Sequence, residues 1–291
     1  MANSLREVKI RISSTKSTAQ ITKAMYMVSQ SKVKKAEKTY KSYKDFMQRI
    51  SEITSQILAK AGTDLTHPLL TKREVKRTAY FIITSDRGLA GAYNSSILKA
   101  LTDKIEETHK SKDEYITGAV GKQGYNYLKR KGYPLINEEP VFVRDDVQFV
   151  DIEPLAKQFI DLYLNKKIDK LVIIYNHYIN SLSQEIRFEE LLPLVKVDTE
   201  FKNIDYVYES GIEKTVNLIL SMYAKDIIYG IILDAKTSEH SARMNSMKSA
   251  TDNAEEVIDK LQLLYNRARQ NVVTTELIDI IGGANAIGGD N

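Results

Sequence analysis

Cysteine is absent from all 291 residues, which excludes disulfides, thiolate metal sites and thiol-based redox switches. Histidine is scarce, and the four present have no spacing such as HExxH that would hold zinc. A reducing compartment or a bacterial cytosol fits this composition best. No run of apolar residues approaches the roughly 18 to 20 needed to cross a bilayer, and the N-terminus lacks the apolar stretch of a signal peptide. Any membrane association is therefore expected to go through a partner. Proline is missing from residues 238–286, so nothing there interrupts a helix.

What is present is long and periodic. Met247, Ala250, Ala254, Val257, Leu261, Leu264, Ala268, Asn271, Thr275 and Ile278 alternate at spacings of three and four, the seam of a coiled-coil helix. Near its end Val272, Val273, Leu277, Ile278, Ile280 and Ile281 point all round the helix, the pattern of a helix enclosed by other structure. Left open, such a surface marks a contact site or an aggregation hazard.

The other end of the chain matches it. Asn3 or Ser4 can cap a first helix with Glu7 near the capping-box position. From Leu5 through Val8, Ile12, Thr15, Ala19, Thr22, Tyr26, Ser29, Val33, Ala36, Tyr40, Tyr43 and Met47 to Ile50, the same three-four spacing runs without a slip. At ~1.5 Å per residue that helix spans roughly 80 Å and needs a long partner. The chain returns from a domain-sized insert, so the two helices are expected to pair antiparallel. Thr15, Ala19 and Thr22 should face Ala250 and Ala254, with Tyr40 and Tyr43 beside Tyr223, Ile227 and Ile228. Everything after about Tyr265 should project alone. The expected division is an N-terminal coiled-coil helix over 1–61, an inserted α/β domain over 62–210, and a C-terminal coiled-coil helix over 211–291.

In the insert, strands are expected at 79–83, 115–120, 141–143, 171–178 and 184–188, with helices at 95–109, 122–131 and 152–165. Strands alternating with helices argue a mostly parallel, Rossmann-like sheet covered on both faces, with an antiparallel strand at its edge. Gly88 and Gly91 follow a strand but lack the GxxxxGK[ST] spacing, and Gly118, Gly121 and Gly124 miss GxGxxG. Both clusters read as tight strand-to-helix turns, with Asp86 and Arg87 pairing locally or with a neighbouring loop. No nucleophile with its base and no metal cluster stands out, so no catalytic, cofactor or metal site is expected.

Four stretches carry a resemblance: ITKAMYMVSQSK at 21–32, SDRGLAGAYN at 85–94, SEHSARMNSMKSATDNA at 238–254 and LQLLYNRARQNVVTTELIDIIGGANA at 261–286. With them the chain resembles, essentially end to end, the gamma subunit of the F-type ATP synthase. The resemblance implies a non-catalytic central shaft inside a hexamer of alpha and beta subunits. It also implies an epsilon subunit and a membrane c-ring as partners, and attachment at the cytoplasmic face of a bacterial cell membrane. Met25 and Arg243 match positions that meet the acidic lever loop of the catalytic subunits. Gln270, Thr274 and Glu276 match shaft positions held by the hexamer, and Tyr206, Tyr208 and Glu209 positions that contact the ring. Ala90 stands where many relatives carry cysteine, and Asn245 and Ser246 where small apolar residues are commoner. The cysteine pair of the redox-regulated chloroplast form is missing, and the lack of a transit peptide favours a bacterial source.

Charge supports one alternative. Residues 1–50 hold twelve Lys or Arg against three acids, nine net positive, whereas residues 212–291 hold eight against eleven, three net negative. A basic coiled coil of this kind could serve a nucleic acid. Against that, the basic helix already commits its seam to a partner helix, and no base-reading module is visible. No nucleic acid and no homo-oligomer is expected, nor any cofactor bound by this chain.

Overall fold

The computed structural model describes residues 2–61, 67–194 and 211–288. In chain order the elements are α1 (Ala2–Ala61), β1 (Thr78–Ile83), α2 (Tyr93–Thr108), β2 (Tyr115–Val120), α3 (Lys122–Lys131), α4 (Phe149–Leu164), β3 (Lys170–Tyr178), β4 (Gln184–Leu192) and α5 (Ile212–Gly288). This is the expected class: two long terminal helices around an α/β insert. By packing the chain forms two units, Ser29–Arg243 and Met1–Val28 with Met244–Asn291, so α1 and α5 each contribute to both.

In the larger unit the sheet runs β2-β1-β3-β4, with β1 parallel to β2 and β3, and β4 antiparallel to β3. Period-two alternation splits each inner strand between two cores. Ala79, Phe81, Ile83, Leu171, Ile173 and Tyr175 pack with residues of α4 and α5, while Tyr80, Ile82, Val172 and Ile174 pack with residues of α2 and α3. The Phe81 and Phe159 rings meet at 4.9 Å between centroids. Burial on both faces is why β1 reads as a continuous apolar run.

Local chemistry moved some boundaries. The expected strand at 141–143 is a single bridge between Val120 and Val141. Pairing stops there because the Val143 amide donates to Asp86 Oδ2 at 2.9 Å and its carbonyl accepts from Lys236 Nζ at 2.7 Å. Helix α4 starts three residues earlier than expected because the Asp151 carboxylate accepts the Gln148 amide at 3.0 Å, a capping contact. A further correction concerns α5, which over one stretch is long and apolar enough to cross a membrane by length and composition. Its Val216, Leu220, Ala224, Ile228 and Ile232 are buried in the sheet's core, and that accounts for the apolarity.

The glycine turns have structural causes. Gly121 has φ +91°, and a Cβ there would lie 2.1 Å from the Thr84 carbonyl oxygen. Four amides at the ends of β1 and β2 are already bonded: Ser85 to Asn94 Oδ1, Gly121 to the Val141 carbonyl, Lys122 to Asp86 Oδ1, and Gly124 to Thr84 Oγ1. Amides so engaged cannot also cradle a phosphate, and Asp86 pairs with neighbouring loops as the sequence suggested.

Within this unit α1 and α5 run antiparallel: Tyr43 donates to the Asp226 carbonyl at 3.0 Å, and Tyr223 bonds Ser51 at 3.2 Å. The aromatic register differs from the expected one. Tyr43 stacks edge-on against Tyr229 and lies over Gly230, where a Cβ would come within 3.0 Å of its ring. A bulky residue has settled against the one position lacking a side chain.

The smaller unit is a bare helix pair. Ile12 and Ala19 of α1 are buried with Met247, Thr251 and Ala254 of α5, and the Thr22 and Thr251 hydroxyls are 2.8 Å apart. Small side chains allow this close approach, and the partner of Thr22 is Thr251, one position beyond the expected Ala250.

Candidate partner-contact surface

Burial fades along the last turns of α5. Ala268, Val272 and Thr275 remain half-buried, and from Glu276 to Gly282 every side-chain position is exposed. The fully open run therefore begins about three turns later than Tyr265. Leu277, Ile278, Ile280 and Ile281 are 54–67% exposed. These four large aliphatic side chains cover most of the helix surface over nearly two turns, with Glu276 and Asp279 together on the remaining side, and an exposed apolar patch of this kind marks a surface made to be covered. On α1, Ile21, Met27 and Val28 are also exposed.

A second feature lies in the larger unit and was missed from sequence. From Ile231 to Ser241 every residue of α5 is buried, although Asp234, Lys236, Thr237, Ser238, Glu239, His240 and Ser241 are polar. Burying such groups is unfavourable unless they are bonded, and most are. Asp234 accepts the Tyr178 amide at 3.0 Å and meets His177 Nδ1 at 2.5 Å, and it bonds the Tyr40 hydroxyl from α1. Burial pushes the Tyr40 hydroxyl up to about 12, and the Asp234 charge adds to this. Lys236 Nζ reaches the Val143 carbonyl at 2.7 Å, Glu239 at 3.0 Å and Asp145 at 3.6 Å. Tyr93 donates to the Ala235 carbonyl and Ser241 to the Ser181 carbonyl. Burial also lowers His240 to about 4; its Nε2 is 3.4 Å from Asp145 and its Nδ1 has no partner. The available signal was a dense polar run directly after the apolar stretch of α5.

The residues singled out from sequence fall in different settings. Met25 is half-buried in the smaller unit. Arg243 is 12% exposed, its Nη1 is paired with Glu239 at 2.7 Å, and its Nη2 is held loosely at 3.3 and 3.5 Å from the Arg87 and Gly88 carbonyls. Gln270, Thr274 and Glu276 are exposed on α5, and the Thr274 hydroxyl bonds the Gln270 carbonyl. Tyr206, Tyr208 and Glu209 lie outside the described residues. Among the described residues no group of three or more acidic or histidine side chains is placed to hold a metal ion.

A family model described as ATP synthase matches residues 4–287. The chain belongs to the ATP synthase gamma-subunit family. Solved structures agree with this gamma-type fold. A chain of the Tetrahymena thermophila mitochondrial ATP synthase central stalk and c-ring is 26% identical, with a TM-score of 0.59 over 79% of this chain and 99% of that one. A Euglena gracilis chain from the OSCP/F1/c-ring structure is 17% identical, with a TM-score of 0.67 over 100% of this chain and 97% of that one. A Euglena rotor chain is 16% identical, with a TM-score of 0.61 over 94% and 100%. The nucleic-acid alternative finds no support among these relatives.

Proposed function

We propose that this gamma-type chain is the central rotor shaft of an F-type ATP synthase, coupling proton- or sodium-driven rotation of a membrane c-ring to ATP synthesis or hydrolysis in a catalytic hexamer. The observation that carries the reading is the end of α5, where Leu277, Ile278, Ile280 and Ile281 stand open over most of the helix surface, a patch that calls for a socket from other polypeptides. Alpha and beta subunits supply that socket, and an epsilon subunit and the c-ring hold the other end. The complex sits on the cytoplasmic face of a bacterial membrane, with Tyr206, Tyr208 and Glu209 toward the ring.

The chain performs no chemistry itself. An asymmetric shaft turning in a ring of three equivalent catalytic sites meets each with a different face, and differential contact biases each between open and closed states. Met25 offers an adaptable apolar contact. Arg243 keeps one guanidinium nitrogen loosely engaged, free to turn to a carboxylate of the lever loop. Gln270, Thr274 and Glu276 face the hexamer near the tip. The test is co-purification with alpha and beta subunits, followed by ATPase assay with and without this chain. A stable complex whose activity depends on the chain is expected; absence of any complex overturns the reading.

A further inference from the structure

Asp145 lies in the loop between the Val141 bridge and α4, and its two oxygens go to different helices. Oδ2 meets Lys32 Nζ of α1 at 2.6 Å, while Oδ1 faces Lys236 Nζ at 3.6 Å and His240 Nε2 at 3.4 Å, both on α5. The loop itself is pinned by the Asp86–Val143 and Val143–Lys236 bonds and by the Tyr229 hydroxyl on the Val147 carbonyl. A second group joins Glu37 of α1 to Tyr178 of β3 and Tyr40 of α1 to Asp234 of α5, which in turn accepts the Tyr178 amide. These ties fall within the last turns of each helix before the larger unit ends, at Ser29 on α1 and Arg243 on α5.

Lys32 and Asp145 are 37% and 47% exposed, so their bond adds little to folding. What it fixes is direction. Packing sets the contact between helices and body, and a carboxylate clasped from both sides adds a directional, charge-assisted tie to it. Burial works against the Asp145 charge, but the Lys32 bond and the nearby Lys236 and His240 outweigh it and hold the group at about 2, so it stays charged at ordinary pH.

We propose that Asp145 is a positioning residue for rotary coupling, locking the α/β body to both helices so that twist in α1 and α5 reaches the body without slippage. This rests on the central-shaft reading. The experiment uses the assembled complex in vesicles, measuring ATP-driven ion pumping and ATPase activity together. Asp145→Asn should lower the ratio of pumping to hydrolysis about twofold, the scale of an exposed ion pair, while melting temperature and ATPase activity hold. Asp145→Glu should restore the ratio, and Lys32→Met added to Asp145→Asn should lower it no further, because both remove one bond. An unchanged ratio in Asp145→Asn overturns the proposal, as does a ratio that falls only together with stability and ATPase activity. If the unsubstituted chain fails to join the hexamer, the shaft reading itself falls, an outcome distinct from either.

Discussion

One helix, α5, holds two stretches that invert the usual rule. Residues 231–241 are buried and include seven polar or charged residues, six of them consecutive from Lys236 to Ser241, whereas residues 276–282 are exposed and carry four large aliphatics. Composition alone would place each where the other lies. The difference is in who supplies the surroundings. The polar stretch is enclosed by its own chain, by β3, the 143–147 loop and the start of α2, and those neighbours provide its hydrogen-bond partners. Among the described residues nothing buries the aliphatic stretch, whose side chains stay more than half exposed, and such a patch marks a surface for another polypeptide.

The comparison breaks first at Lys236. Lys236→Ala leaves the Val143 carbonyl without its donor and Glu239 with Arg243 as its remaining cation, and the isolated chain should lose about 2–3 kcal/mol in denaturant unfolding. Lys236→Met, which fills the space, should cost less. A loss under about 1 kcal/mol in the alanine variant would mean that water already serves these groups.

His240 gives the next effect. Burial holds its folded value near 4, below the ordinary 6.5, so between those values the folded state binds fewer protons than the unfolded one. Its contribution is fully present above about pH 6.5 and is lost as pH falls toward 4, for roughly 3 kcal/mol in all. His240→Gln should flatten the fall in melting temperature between pH 6.5 and 4 relative to the parent. Parallel curves for the two chains would show that His240 is not the group that titrates.

Much of this architecture was legible beforehand because it rests on period. The three-four spacing of α1 and α5 and the apolar runs of β1 and β3 report how a backbone buries side chains, and β2 and α3 were placed at their observed bounds. The open tip was readable for the same reason, since aliphatics all round a helix have few solutions. The buried polar run was not, because Lys236, Glu239 and His240 look solvated until the 143–147 loop, distant in sequence, is folded over them. The tyrosine register also escaped, since it depends on Gly230 making room for the Tyr43 ring. Pairing by size requires knowing which residues are absent as much as which are large.

A smaller effect belongs to the bare helix pair. Thr251→Val removes the hydroxyl that lies 2.8 Å from Thr22 but keeps the shape, and should cost about 1 kcal/mol by thermal unfolding. The Thr22 hydroxyl can still donate to the Ala19 carbonyl at 3.1 Å, so Thr251→Val leaves no unpaired donor there and the loss should stay near that value.

The smallest effect on folding is expected at the tip, and it separates the two stretches most cleanly. Ile278 and Ile281 are 62% and 58% exposed, so the isolated chain has little to lose when they change. Ile278→Asp with Ile281→Asp should leave unfolding within about 0.5 kcal/mol of the parent, as exposed substitutions do. In a hexamer the same carboxylates would be pressed into an apolar socket and desolvated, and affinity for alpha and beta subunits should fall at least about tenfold in a competition assay. A drop in melting temperature of several degrees would mean that the chain covers its own tip. Unchanged affinity would mean that no socket closes around these turns. Only an unchanged fold together with weakened assembly fits an aliphatic surface kept for another polypeptide.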